Sequence, residues 1–313
     1  MLAGLAFLPG LPAIAAATVR PRALTEFNAY VAQVESRLAR QHRSSADFLV
    51  PVDPALLHSG SPVIQELTPS AGLSLPGALL HDWRGTAFIP GATAAGFVRV
   101  MTGFSDWPQE FSPQVLSVHV LRGEGNEYRV LMRVRQHHIL TITLDETSAI
   151  TITALSSHRG YSIAHSSDIV EIGADGRPLS PDKEHGFLWR LDTWWTWQER
   201  DGGLEVQIES VSLSRSIPIG LGWLVKPYVR SIPRDSLAFT LHSVCRALLQ
   251  QHAAPTHFSS RLPAAASALR SHASAAVSAP SPPPGWLLNP LPHPRTRLAA
   301  RLPAAPDSAA KTR

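Results

Sequence analysis

Fourteen histidines and a single cysteine carry most of the proton- and metal-handling capacity of this 313-residue chain. The ones placed to do chemistry are His138 and His165, with Gln136 beside them, because each interrupts a run whose alternate positions are apolar. In a strand such residues point with their apolar neighbours into a covered space. A histidine titrates near neutrality, so His138 or His165 could act there as a general base. Gln136 could orient a bound molecule. The plainer alternative is that a neighbouring backbone group satisfies each of the three. His137 and His138 are adjacent and point to opposite faces, so they cannot chelate one ion together. No H-E-x-x-H helix, G-x-S-x-G elbow or glycine-rich phosphate signature occurs, and Gly123-Glu124-Gly125 reads as a hairpin turn. Cys245 alone can form neither a thiolate cluster nor an internal disulfide, and it sits where a small apolar residue is expected. No metal and no cofactor are expected.

The elements that must hold these groups are organised around residues 187 to 249. Phe187 to Gln198 alternates, putting Trp189, Trp195 and Trp197 on one face and Trp194 on the other. Asp201-Gly202-Gly203 supplies a tight turn, and Leu204, Val206 and Ile208 alternate behind it. The apolar parity then switches to Val211 and Leu213, which predicts a β-bulge near Glu209 or Ser210. Beyond Pro218, Gly220 and Gly222, residues 221 to 229 read as a short helix. A long helix follows, starting near Pro233. Its stripe contains Leu237, Leu241, Val244, Cys245 and Leu248, and should lie on the tryptophan face.

Upstream, residues 24 to 42 read as a helix with Thr25 available as cap, and 63 to 67 as a strand. Residues 79 to 89 read as a strand pair or a bent strand. Thr93 caps a second amphipathic segment containing Phe97, Val98, Met101 and Phe104. From Val130 to Ile152 nearly every even position is apolar, while the odd ones carry arginine and threonine, so one sheet face is buried and one solvated. Tyr161, Ile163 and His165 make a further short strand. The order of elements is α+β with an antiparallel sheet.

The ends differ in composition. Met1 to Val19 is almost wholly apolar and closes on small residues, the pattern of a secretory signal that would place the mature chain in the periplasm or outside the cell. Without such a signal the chain would be cytoplasmic. Residues 254 to 313 are rich in Ala, Pro and Ser and read as a disordered tail. Beyond Ser260 seven basic residues stand against Asp307 alone, which exceeds the formal +4 of the whole chain, so the remainder is net acidic. That argues against nucleic-acid binding by the folded part and leaves peripheral membrane contact open to the tail.

The same order of elements resembles the helix-grip fold of START lipid-transfer domains, polyketide cyclases and the birch-pollen-allergen group, the SRPBCC superfamily. The likeness spans roughly Gly60 to Leu249. It rests on the helix running into Asp106-Trp107-Pro108-Gln109-Glu110-Phe111 and on the closing strand, glycine turn and long helix. It implies a curved antiparallel sheet wrapped around the C-terminal helix, preceded here by an N-terminal helix connecting through residue 59. It also implies an apolar or lipid-like ligand between sheet and helix, bound by a monomer. Gln136, His138, His165, Trp189, Trp195, Trp197, Leu237, Leu241 and Cys245 are the expected lining. Two alternatives stay open: a cyclase-like or hydrolytic enzyme in the same cavity, and a filled core that serves as an interaction module.

Overall fold

A computed structural model describes residues 18–69, 72–137, 141–216 and 222–253, with side chains from 231 to 251 in the last stretch. The expected signal segment before Thr18, the expected tail after Ala253, and His138 lie outside these residues. Helix α1 spans Pro21–Arg43 and the short α2 Pro54–Leu57. Strands β1 (Val63–Glu66), β2 (Leu73–Leu75) and β3 (Ala78–Pro90) precede α3 (Ala94–Thr102) and α4 (Trp107–Glu110). Strands β4 (Val115–Glu124), β5 (Glu127–His137), β6 (Thr141–Ala154) and β7 (Arg159–Ile172) follow. Then come β8 (Arg190–Arg200), β9 (Gly203–Arg215) and α5 (Gly222–Ala253). All strands pair antiparallel in one sheet of order β1-β3-β9-β8-β7-β6-β5-β4, with β2 beside β1 on the free edge of β3.

The even-position parity of β5 and β6 holds: Val130, Ile150 and Ile152 are buried in the core under α5. Thr93 caps α3 as expected, accepting from Gly96 N at 3.1 Å. Asp201 and Gly202 both take positive φ, 53° and 74°, which gives a two-residue turn the twist of the strands it joins.

Four local expectations are corrected. Thr25 lies inside α1, its hydroxyl donating to Pro21 O at 3.2 Å, and Arg20 occupies the N-cap position. Residues 78 to 90 form one continuous strand, which removes the strand pair from the two readings of that segment and keeps the single strand. Helix α5 is a single element running through both Pro227 and Pro233, so the two-helix reading fails. β9 pairs without interruption with β3 and β8 through Glu209, Ser210 and Val211, so no bulge is present there.

The parity switch in β9 has a different cause. α1 covers the second face of the sheet, burying Phe27, Val31, Val34 and Leu38 against Leu80, Trp194, Val211 and Leu213. Because both faces of β9 are covered, it is apolar on one face at its start and on the other at its end. A shift in register does occur, in β7 between its pairings to Thr147 and Ser148, where Ser167 is the extra residue.

Loop 173–189 is tied down by one side chain. Glu171 accepts from the backbone N–H groups of His185, Gly186 and Phe187 at 2.8 to 3.2 Å and from the His185 ring at 2.9 Å. Glu171→Ala should leave these donors orphaned in a buried place and cost about 2–4 kcal/mol, read by urea denaturation. A loss below about 0.5 kcal/mol would show that the loop holds itself.

Candidate functional site

The face of the sheet under α5 divides in two. At the β8–β9 turn end it is apolar and filled. Phe97 of α3 packs between Trp195 and Trp197, with ring centroids 5.4 and 5.0 Å apart, and Leu204, Val206 and Ile208 complete the layer. α5 crosses this face obliquely. Ser236 meets Gln136 at the end of β5, and five residues later Leu241 meets Gly85 in β3, so closely that a Cβ on Gly85 would sit 2.3 Å from the leucine. Gly85 is thus a docking seat for the helix.

The other half of the same face is polar. By strand register Ser210 and Thr193 share a row with Trp83, and Ser212 shares one with His81. Ser148 and Ser166 pair across β6 and β7. Five hydroxyls, three of them buried, in the middle of a covered sheet face are unusual, since polar groups cost free energy there unless bonded. Some are bonded: Ser166 Oγ accepts from Leu191 N at 2.8 Å, and Ser148 Oγ donates to Glu146 Oε1 at 2.7 Å. Glu146 is buried, and burial pushes its carboxyl above the usual range.

His81 is the exception. It is 1% exposed, and neither ring nitrogen has a hydrogen-bond partner among the described residues. Its neighbour two residues on, Trp83, has an equally unpartnered indole N–H. Burial lowers the basicity of His81, with Glu66 pulling weakly the other way, so the ring is neutral at physiological pH. It then offers one donor and one acceptor. Gly72 gives the ring its room, since a Cβ there would lie 2.8 Å from it.

Against this geometry the expected site residues sort clearly. Trp195 and Trp197 are on the α5 face but belong to the packed half. Leu237 and Leu241 are buried against the same core, and Cys245 is packed at its margin, where burial pushes the thiol up to about 11. Gln136 faces α5 and donates to Ser236 Oγ at 3.2 Å, so a neighbouring side chain satisfies it. Trp189 is not on this face: it lies before the first paired residue of β8, leaves the strand parity and packs with Trp194 under α1.

His165 is likewise displaced. It pairs with Asp192 on the α1 face, where Nε2 lies 3.0 Å from Glu35 and Nδ1 3.3 Å from Asp192. The hydrogen bond to Asp192, reinforced by both carboxylates against partial burial, raises its pKa. Two carboxylates that favour the charged ring hold both nitrogens, so neither is left open to take a proton from a ligand. The odd residues Tyr161, Ile163 and His165 therefore face α1, while Ser162 and Ala164 face α5. His81 is not legible in the sequence, because it sits inside a strand with no spaced motif. The one available signal was a His-Asp pair interrupting the apolar run of β3.

A nine-stranded antiparallel sheet carries a long C-terminal helix obliquely across one face, with the strand order closing β3 onto β9. The chain has the helix-grip fold. No family model matches the sequence, and no curated protein matches it. Among solved structures, this helix-grip chain is similar to the STAR-related lipid transfer protein from Xanthomonas axonopodis at 18% identity and TM-score 0.37, covering 57% of this chain and 97% of that one. It is similar to the Zhui aromatase/cyclase from Streptomyces sp. R1128 at 14% identity and TM-score 0.41, covering 56% and 97%. It is also similar to human STARD10 at 11% identity and TM-score 0.39, covering 64% and 81%. At such distances the likeness carries no function across, so the helix-grip interior has to be read from its own residues.

Proposed function

We propose that this protein binds an amphipathic small molecule between the sheet and α5, with its polar end on His81 and Trp83. The observation that carries the reading is the buried His81 on a polar half-face, without a hydrogen-bond partner among the described residues. Buried polar groups nearly always have partners, so a donor and an acceptor left open together ask for a ligand. The neighbouring hydroxyls supply further contacts. The apolar, filled half next to it sets a wall of tryptophan against which a tail or ring can pack.

The test is native mass spectrometry and tryptophan-fluorescence titration of the full chain with oleate and with a hydroxylated polycyclic aromatic. His81→Phe removes both nitrogens while keeping a ring of similar size. It should weaken binding about tenfold. The folded state should be unharmed or gain slightly, because no hydrogen bond is lost. Equal binding by parent and variant, or no binding of either probe, overturns the proposal. A neutral imidazole in this position could also serve as a general base. Loss of turnover with retained binding in His81→Gln would move the reading from carrier to enzyme.

A further inference from the structure

On the opposite face of the sheet, a stripe of α1 composed of Tyr30, Gln33, Arg37 and Arg40 looks across a cleft at Asp82 and Arg84 of β3. The cleft measures about 730 Å³, and Leu67 stands at its rim. Nothing in the fold alone requires this stripe to be polar, since α1 already has an apolar face for the sheet. Three guanidinium groups meet here. Arg37 and Arg84 take one oxygen each of the buried Glu209, the second at 2.9 Å, while among the described residues Arg40 reaches only the Ser36 hydroxyl, at 2.8 Å.

Two polar atoms in the cluster have no partner among the described residues: Arg37 Nη1 and Asp82 Oδ1. Asp82 is 2% exposed, and its other oxygen accepts from the Tyr30 hydroxyl at 2.8 Å. When Asp82 is neutral, the proton belongs on Oδ1, because Oδ2 is already an acceptor. The site then presents two donors without acceptors, a guanidinium N–H and a carboxylic O–H. A third cation, Arg40, stands beside them on the helix. The complement to that arrangement is an oxygen-rich anion.

We propose that the cleft between α1 and β3 is a second binding site, one for the phosphate group of a small molecule or of a lipid. It lies on the other face of the sheet from the His81 site and does not depend on it. Asp82 is faced by Tyr30 and Arg37 from α1, by Arg84 on its own strand and by Glu209 from β9. Burial first and Glu209 second push its carboxyl up to about 7, against the pull of the Tyr30 bond and the two arginines. Below that pH it donates to the anion; above it, a second negative charge repels the anion.

Isothermal titration with sulfate, whose charge is fixed in this range, tests the site at constant ionic strength. Affinity should fall about tenfold from pH 6 to pH 8 through the coupled proton. Asp82→Asn should bind at pH 8 as it does at pH 6. Arg40→Gln should lose about tenfold at pH 6 with its melting temperature unchanged, since Arg40 holds only Ser36. Glycerol 3-phosphate and vesicles containing phosphatidic acid then separate the two sources. Binding of the soluble ester supports a free phosphate ligand, and binding of the vesicles alone, lost in Arg40→Gln, supports a lipid headgroup. The proposal is overturned if the parent binds none of the three at pH 6, or if Arg40→Gln binds as well as the parent.

Discussion

Truncating Leu241 to alanine should destabilise the protein by about 2–5 kcal/mol, the range for a fully buried leucine whose site cannot collapse. The site cannot collapse because one wall is backbone: Leu241 rests on Gly85, and no side chain there can swing into the void. The reverse substitution tests the same contact. Gly85→Ala should cost about 1–3 kcal/mol, because the new Cβ and Leu241 cannot both keep their places. In the double variant the alanine at 241 makes the room that the Cβ at 85 needs, so the losses should fall short of their sum by at least about 1 kcal/mol. Urea denaturation of the four proteins reads this directly. Strict additivity would show that α5 does not seat on Gly85.

Asp82→Asn should become progressively more stable than the parent as pH rises from 4 to about 7, and the difference should level off above that. The folded-state carboxyl is raised from its ordinary 3.8 to about 7. Its contribution is therefore fully present below the unfolded value and is lost as pH rises through the folded one. The limiting gain is on the order of 4 kcal/mol for a shift of this size, less whatever Glu209 and the two arginines absorb by rearranging. Taking the difference between variant and parent matters. His42, lowered by burial to about 4, contributes a slope of opposite sign over the same window and would mask Asp82 in the parent alone. A difference independent of pH between 4 and 8 would count against a buried, proton-sharing Asp82.

Much of the fold was legible because it is written in short-range patterns. Period-two alternation placed β5, β6, β8 and β9, and the Asp201-Gly202 turn marked the closing hairpin. What failed was the inference from pattern to face. Val211 and Leu213 predict a bulge only for a sheet with one covered face, where a parity change requires an inserted residue. A sheet covered on both faces allows it with none. The same assumption turned His165 inward. Composition hid the second face, since the helix that covers it lies far away in sequence. The sites were less legible still. Tyr30, Asp82 and Glu209 come from three elements, with separations of 52 residues between the first two and 172 between Arg37 and Glu209, so no linear motif records them. His81 shows its interest only through the partners it lacks among the described residues.

The covering of the second face by α1 also sets an order of events during synthesis. The apolar stripe of α1 is among the first described segments to leave the ribosome, but Glu209, which Arg37 grips, is made 172 residues after it. Thr196, which meets His42 at 2.9 Å, comes 154 residues after its partner. At typical elongation rates that is a wait of roughly ten to thirty seconds with Phe27, Val31, Val34 and Leu38 uncovered. A nascent chain with such an exposed stripe is a substrate for holdase chaperones, and slowing translation between β3 and β9 should lengthen that dependence.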